Sequence, residues 1–365
     1  MAQVSGMAPP LSFFPVRQLW QVSLAAPPSA RGVFADEAHA FVPLSTGSLA
    51  AVSMQSAQLA WTARADVLGV LAAEPGRIIV ATEGAVLALD PTTGDRIWTL
   101  PDDGGSVVAA SFSGPRLVLV AETGVVRSLA ASTGALEWRH ELGAAAGSSL
   151  AVTAADALVG LAGGRVAAVR LQDGMPRWTT LVDGQPGALA VRNDRVYFGT
   201  ADRAFYSIRI TDGRIDWRWR VGAVVVGGAT FDDRHVYFAA LDNQIRALDL
   251  DNGAQRWRKP LPGRPVGSPV VTGATVIVPC LAAEIRGFAG RDGASQGRYP
   301  TDAELATPLQ VLRRPLTAGG DIVLLVLSDG TLLAAQRRVE PPLVPLNDLP
   351  GVTVPITPAP AVAAK

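Results

Sequence analysis

Apolar residues in this chain fall into short runs, each ended within a few positions by Gly, Asp, Asn or Pro. Residues 215–250 show the pattern. Ile215, Trp217, Trp219 and Val221 alternate onto one face, and an apolar run from Ala223 to Phe231 follows. Residues 235–240 and 244–250 then form two further runs around Asp242-Asn243. Alternation of period two predicts strands rather than helices. Val, Gly and Pro are also too frequent for long helices. The chain therefore reads as all-β.

The strands repeat. Trp20, Trp61, Trp98, Trp138, Trp178, Trp217 and Trp257 recur at intervals of 41, 37, 40, 40, 39 and 40, and Tyr299 continues the series 42 residues on. Gly94, Gly134, Gly174, Gly213 and Gly253 each stand four residues before a tryptophan. Ala57 takes that place before Trp61, and Gly293 precedes Tyr299 by six. Two-residue turns recur in register at Thr46-Gly47, Glu83-Gly84, Thr123-Gly124, Gly163-Gly164, Asp202-Arg203, Asp242-Asn243, Ala282-Ala283 and Asp329-Gly330. Tight hairpin turns need positive φ, which glycine adopts at little cost. Four short strands per repeat of about 40 residues predict a β-propeller blade.

Counting units gives an eight-bladed β-propeller of four-stranded antiparallel blades. Trp20–Met54 is the first unit and Gly297–Gln336 the last, with seven blades the fallback if the irregular last unit does not close. Residues 1–16 read as a loose N-terminal segment and 17–337 as the propeller. Residues 338–365 read as a Pro-rich tail, with prolines at 341, 342, 345, 350, 355, 358 and 360. One tryptophan per blade is explained by packing between neighbouring blades. Trp219 breaks the period but shares a face with Trp217, which assigns it to packing; an Arg-Trp-Arg binding patch is the alternative.

Charge changes the picture little. The 32 basic and 32 acidic residues balance, and without a basic surplus the chain is not expected to bind nucleic acid. The uncharged stretch 265–283 contains three prolines and two glycines, so no transmembrane span is expected. Cys280 is the only cysteine, which excludes an internal disulfide and a thiolate zinc site, and its apolar run predicts a core thiol. Asp90, Asp102-Asp103, Asp232-Asp233 and Asp249 read as turn caps. His39, His140 and His235 have no ligand spacing and read as strand-surface or packing residues. No nucleophile elbow or P-loop occurs.

The repeat resembles the pyrroloquinoline-quinone (PQQ) type of propeller repeat. Ala-Leu-Asp-Pro-Thr-Thr-Gly-Asp-Arg-Ile-Trp (88–98) matches it best, followed by Ala-Leu-Asp-Leu-Asp-Asn-Gly-Ala-Gln-Arg-Trp (247–257) and the strand Arg-Val-Tyr-Phe-Gly-Thr (195–200). No Trp-Asp dipeptide follows any of the tryptophans, which sets the WD40 repeat aside. The resemblance covers roughly residues 17–337 and implies one of two branches. Quinoprotein dehydrogenases hold PQQ with Ca²⁺ over the central channel, are usually much longer, and commonly place a vicinal cysteine ring on the cofactor. The BamB family is a non-catalytic scaffold for outer-membrane protein assembly, similar in size to this chain.

The expectation is accordingly a monomeric, non-catalytic scaffold with protein partners, among them envelope assembly components, and with no cofactor. PQQ with Ca²⁺ belongs to the dehydrogenase alternative, and a ligand-sensing propeller domain is a third reading. The resemblance implies a cell-envelope or periplasmic location, although the first residues read as neither a signal peptide nor a lipobox. A Leu-x-Leu-Arg-type partner loop is not recognisable, so no site residue carries over.

Overall fold

A computed structural model describes residues 12–29 and 33–338; the calls made for residues 1–11 and for the tail beyond 338 lie outside the described residues. Eight four-stranded antiparallel sheets form the molecule. Blade 1 runs from Phe34–Ala35 to Leu59–Arg64, blade 2 from Val67–Glu74 to Arg96–Pro101, and blade 3 from Val107–Ser113 to Leu136–Glu141. Blade 4 runs from Ala146–Val152 to Pro176–Leu181, blade 5 from Ala190–Arg192 to Ile215–Arg220, blade 6 from Val225–Phe231 to Gln255–Pro260, and blade 7 from Val270–Thr272 to Ser295–Pro300.

Blade 8 combines Gln310–Leu312, Ile322–Val326 and Thr331–Arg337 with Val16–Ser23 as its outer strand. Val16 pairs with Arg337 and Ser23 with Thr331, so the two ends of the propeller meet in one sheet. The first strand of every blade touches the first strands of both neighbours, closing a ring of eight.

The unit boundaries move, while the count of eight blades stands. The tryptophan strand is the outer strand of its blade rather than the start of a unit, so the unit Trp20–Met54 straddles blades 8 and 1. The last unit does close, so the seven-blade fallback does not apply. The loose segment 1–16 is corrected at its end: Phe13 and Phe14 are buried.

Burial follows the sequence pattern. Second and third strands are sandwiched between neighbouring blades, which explains their continuous apolar runs; Leu117, Val118, Leu119 and Val120 are all fully buried. Outer strands alternate instead, since one face packs on a blade and the other meets solvent, as at Ile215–Arg220. Cys280 is fully buried, and burial pushes its thiol up to about 12. No helix among the described residues is long and apolar enough to cross a membrane.

Candidate functional site

The periodic tryptophans form an interlock between blades. Each indole Nε1–H donates to a backbone carbonyl of the next blade: Trp20 to Met54 (3.2 Å), Trp61 to Pro91 (3.0 Å), Trp98 to Ala131 (3.1 Å) and Trp138 to Leu171 (2.8 Å). Trp178 reaches Ile210 (2.7 Å), Trp217 reaches Leu250 (3.1 Å) and Trp257 reaches Gly290 (2.7 Å). Six of the seven rings also lie on the turn glycine of that next blade, Trp257 on Gly293 among them. Trp61 covers Gly94, Trp98 covers Gly134, Trp138 covers Gly174, Trp178 covers Gly213 and Trp217 covers Gly253. A Cβ on Gly174 would come within 2.5 Å of Trp138 Cε3, and its φ of +71° already disfavours a side chain.

The glycine that precedes a tryptophan in sequence thus serves the tryptophan of the blade before. At Ala57 the same turn is held at φ +56° by a residue with a Cβ. Ala57→Gly is expected to raise unfolding stability by about 0.5–1 kcal/mol, since relief of the left-handed strain exceeds the added entropy of the unfolded chain. Urea titration reads it; a loss of stability would refute the strain argument.

Strand register moves one assignment. Trp217 stands opposite Ser207 and Trp257 opposite Ala247, and the residue at that register in blade 7 is Gly297, opposite Gly287. Tyr299 lies opposite Ile285, the place that Trp219 takes opposite Phe205. Trp219 packs edge-on against Phe238, with the Arg246 guanidinium 5.9 Å from its ring centroid.

A polar pair recurs inside blades, linking the first residue of the second strand to the residue 21 positions on, in the outer strand. Arg116 meets Glu137 (2.7 Å), Asp156 meets Arg177 (2.9 Å), Arg195 meets Asp216 (2.7 Å) and Thr275 meets Gln296. The charges swap sides between blades 3 and 4, which keeps each pair neutral. In blade 6 the same positions hold His235 and Arg256, which cannot neutralise one another. His235 turns instead to Asp232 (3.1 Å) and Arg256 to Asp249 (2.6 Å).

A cavity of about 760 Å³ opens at this break, between blades 5, 6 and 7. Arg195, Asp232, His235, Tyr237, Arg256 and Arg291 are among its walls. Gly290 helps keep it open, because a Cβ there would come within 2.7 Å of the Tyr237 hydroxyl. The corresponding residues in blades 2 to 6 are Pro91, Ala131, Leu171, Ile210 and Leu250.

Asp232 organises the cavity floor. Its Oδ1 accepts from the backbone N–H groups of Arg234 (2.8 Å) and His235 (2.7 Å), and its Oδ2 takes the Tyr237 hydroxyl and His235 Nδ1. Burial alone would raise its carboxyl; the hydroxyl of Tyr237, the amides of Arg234 and His235 and the His235 ring outweigh that and hold it below the usual carboxylate range. Burial, with Asp232 beside it, pushes the Tyr237 phenol far above its ordinary value. Asp232 therefore caps its turn, as Asp90 and Asp249 cap theirs, and also anchors two side chains. In the sequence Asp232 and His235 read as a turn cap and a strand residue with separate roles. The signal was the spacing: residues 235 and 237 share a strand face, and the turn brings Asp232 back under it.

The opposite face carries the turns between second and third strands and the links between blades. Asp66, Glu83, Asp102, Asp103, Glu122 and Asp183 stand in those turns on blades 1 to 5, where Arg203 is the only described basic residue. Burial raises the Asp102 carboxyl, with Arg127 opposing it and Asp103 and Glu122 adding to it. Asp103 accepts from the buried Arg127 guanidinium. The turns carry an acidic surplus, although Asp103 is paired with Arg127 and Asp183 with Arg218 (2.6 Å); loops on a rigid scaffold are where partners usually bind.

Among the described residues no three His, Cys, Asp or Glu side chains converge on one point. What the geometry supplies is polar binding surface on both faces.

The sequence model of the family described as outer membrane protein assembly factor BamB matches residues 17–123, 122–225 and 218–339. No curated protein matches the chain in sequence. Among solved structures, BamB from Moraxella catarrhalis is 18% identical over 88% of this chain and 99% of that one, with a TM-score of 0.71. The computationally designed Ika8 protein is 17% identical, covering 86% and 98%, with a TM-score of 0.73. Sqt1 from Saccharomyces cerevisiae is 12% identical, covering 87% and 98%, with a TM-score of 0.74. At these identities the likeness to solved structures shows the propeller fold alone.

Proposed function

The chain belongs to the family of the outer membrane protein assembly factor BamB, and on that premise we propose that it is a non-catalytic scaffold that binds protein partners in outer-membrane assembly. Family membership across the whole propeller is the observation that carries this reading. The geometry supports it in two respects. Seven tryptophan interlocks make a stiff ring, and a stiff ring presents its loops without first having to order them. The acidic turns of blades 1 to 5 then offer a surface that complements a basic partner, where charge steers encounter and selects orientation.

The test is to crosslink the tagged chain in its own cells and identify the captured proteins by mass spectrometry. Recovery of outer-membrane assembly components is expected, and it should fall in a variant carrying Glu83→Lys and Glu122→Lys, two exposed turn residues of blades 2 and 3. Capture of only cytoplasmic proteins, or quinone-dependent oxidation of an alcohol or sugar by purified protein with Ca²⁺, would overturn the proposal.

A further inference from the structure

Seven of the eight blade junctions are closed by a tryptophan, and the junction between blades 7 and 8 is not. At the tryptophan register blade 7 has Gly297 facing Gly287, two residues without side chains on adjacent strands. The Phe14 ring fills the space they leave. A Cβ on Gly287 would come within 2.3 Å of Phe14 Cε2, and one on Gly297 within 2.8 Å of Cδ1. Phe13 packs edge-on against Phe14 with ring centroids 5.7 Å apart, and both join the core shared by blades 7 and 8 with Ile277, Ile285 and Leu309.

Polar contacts hold the same segment in register. The Phe13 N–H donates to Thr275 Oγ1 (2.8 Å), and that hydroxyl donates to Gln296 Oε1. Ser12 Oγ also donates to Gln296 Oε1 (3.1 Å) while accepting from the Phe14 N–H (3.1 Å), and the Pro15 carbonyl accepts from the Arg338 N–H (2.7 Å). Thr275 and Gln296 are the polar pair of blade 7, so the position that is an ion pair in blades 3, 4 and 5 is here a neutral pair that reads a passing backbone.

We propose that blade 7 carries a binding site for a Ser-Phe-Phe-Pro segment, and that residues 12–15 of this chain fill it as a detachable strap. A tryptophan built into an outer strand cannot leave without opening its blade. Phe14 can, because residues 12–15 belong to no strand and all pairs of blade 7 form without them. The site is independent of the scaffold reading, and it makes the last junction of the ring separable from the other seven.

Thermal unfolding of the full-length Phe14→Ala chain tests the site, with a fall in Tm of about 5 °C or more expected from the vacated socket. The acetylated and amidated peptide Ser-Phe-Phe-Pro-Val-Arg should bind that variant saturably, restore its Tm, and bind about tenfold more weakly to wild type, whose seat is filled. An unchanged Tm, or equal affinity for both chains, overturns the proposal. Should Phe14→Ala fail to fold, Gly287→Ala decides instead. Its Cβ expels the ring, so chymotrypsin should cut the folded chain after Phe13 while wild type resists; equal resistance overturns the proposal.

Discussion

Trp138→Ala is expected to lower unfolding stability by about 3–5 kcal/mol, the range for removing a large buried aromatic. The ring is only 9% exposed, covers Gly174 and donates to the Leu171 carbonyl. Its loss opens a cavity at the junction of blades 3 and 4 and leaves that carbonyl without its partner, which adds to the cost. Leu136 provides the control: it lies two residues away on the same strand and is 55% exposed. Leu136→Ala should cost less than about 0.5 kcal/mol. Gly174→Ala should approach the tryptophan variant, because the added Cβ meets the ring from the other side. Guanidinium titrations of the three variants decide the matter, and similar midpoints for Trp138→Ala and Leu136→Ala would show that the interlock does not hold the blades.

Asp232→Asn is expected to cost about 2 kcal/mol at neutral pH, and the cost should shrink in acid. The carboxylate accepts from the Tyr237 hydroxyl, two amides and His235, while an amide has one acceptor oxygen and brings a donor toward these donors. Its side chain is 32% exposed, which keeps the figure toward the low end. The direction with pH follows from the depressed carboxyl. A group held below its unfolded value stabilises the fold fully above that value, roughly pH 4, and loses the contribution as pH falls through the folded value. Urea titrations at pH 7 and pH 3 should therefore show the gap between wild type and Asp232→Asn narrowing at pH 3. A constant gap would mean that Asp232 acts through shape and not through its charge.

Much of this architecture was legible in the residues because each blade repeats one physical problem. Seven of the eight outer strands place a tryptophan over the next blade, and the turn it covers needs a residue that leaves room for it, so Trp61 and Gly94 or Trp138 and Gly174 recur in step. The cavity was harder to see. His235 looks like any strand residue until blade 6 is compared with blades 3, 4, 5 and 7, where the same position is half of a neutral pair. Only the failure of that pair marks it. Residue spacing points to Tyr299, but blade 7 has glycine where the aromatic belongs; strand register, which follows hydrogen bonds and not spacing, puts Gly297 there.

By itself the sequence determined the class of fold, the number of blades and the residues that lock them, because period-two alternation and a repeat of about 40 residues leave few other ways to bury so many short strands. Tertiary structure decided where each blade begins, which glycine meets which tryptophan, and what fills the empty seat of blade 7. The physical reason is common to all three. A repeat reads the same from any starting point, so its phase appears only when Val16–Ser23 pairs with Thr331–Arg337 and closes the ring. The interlocks join separate blades, and Phe14 meets Gly287 and Gly297 across more than 270 residues of chain, a distance at which contact is set by ring closure and not by local pattern.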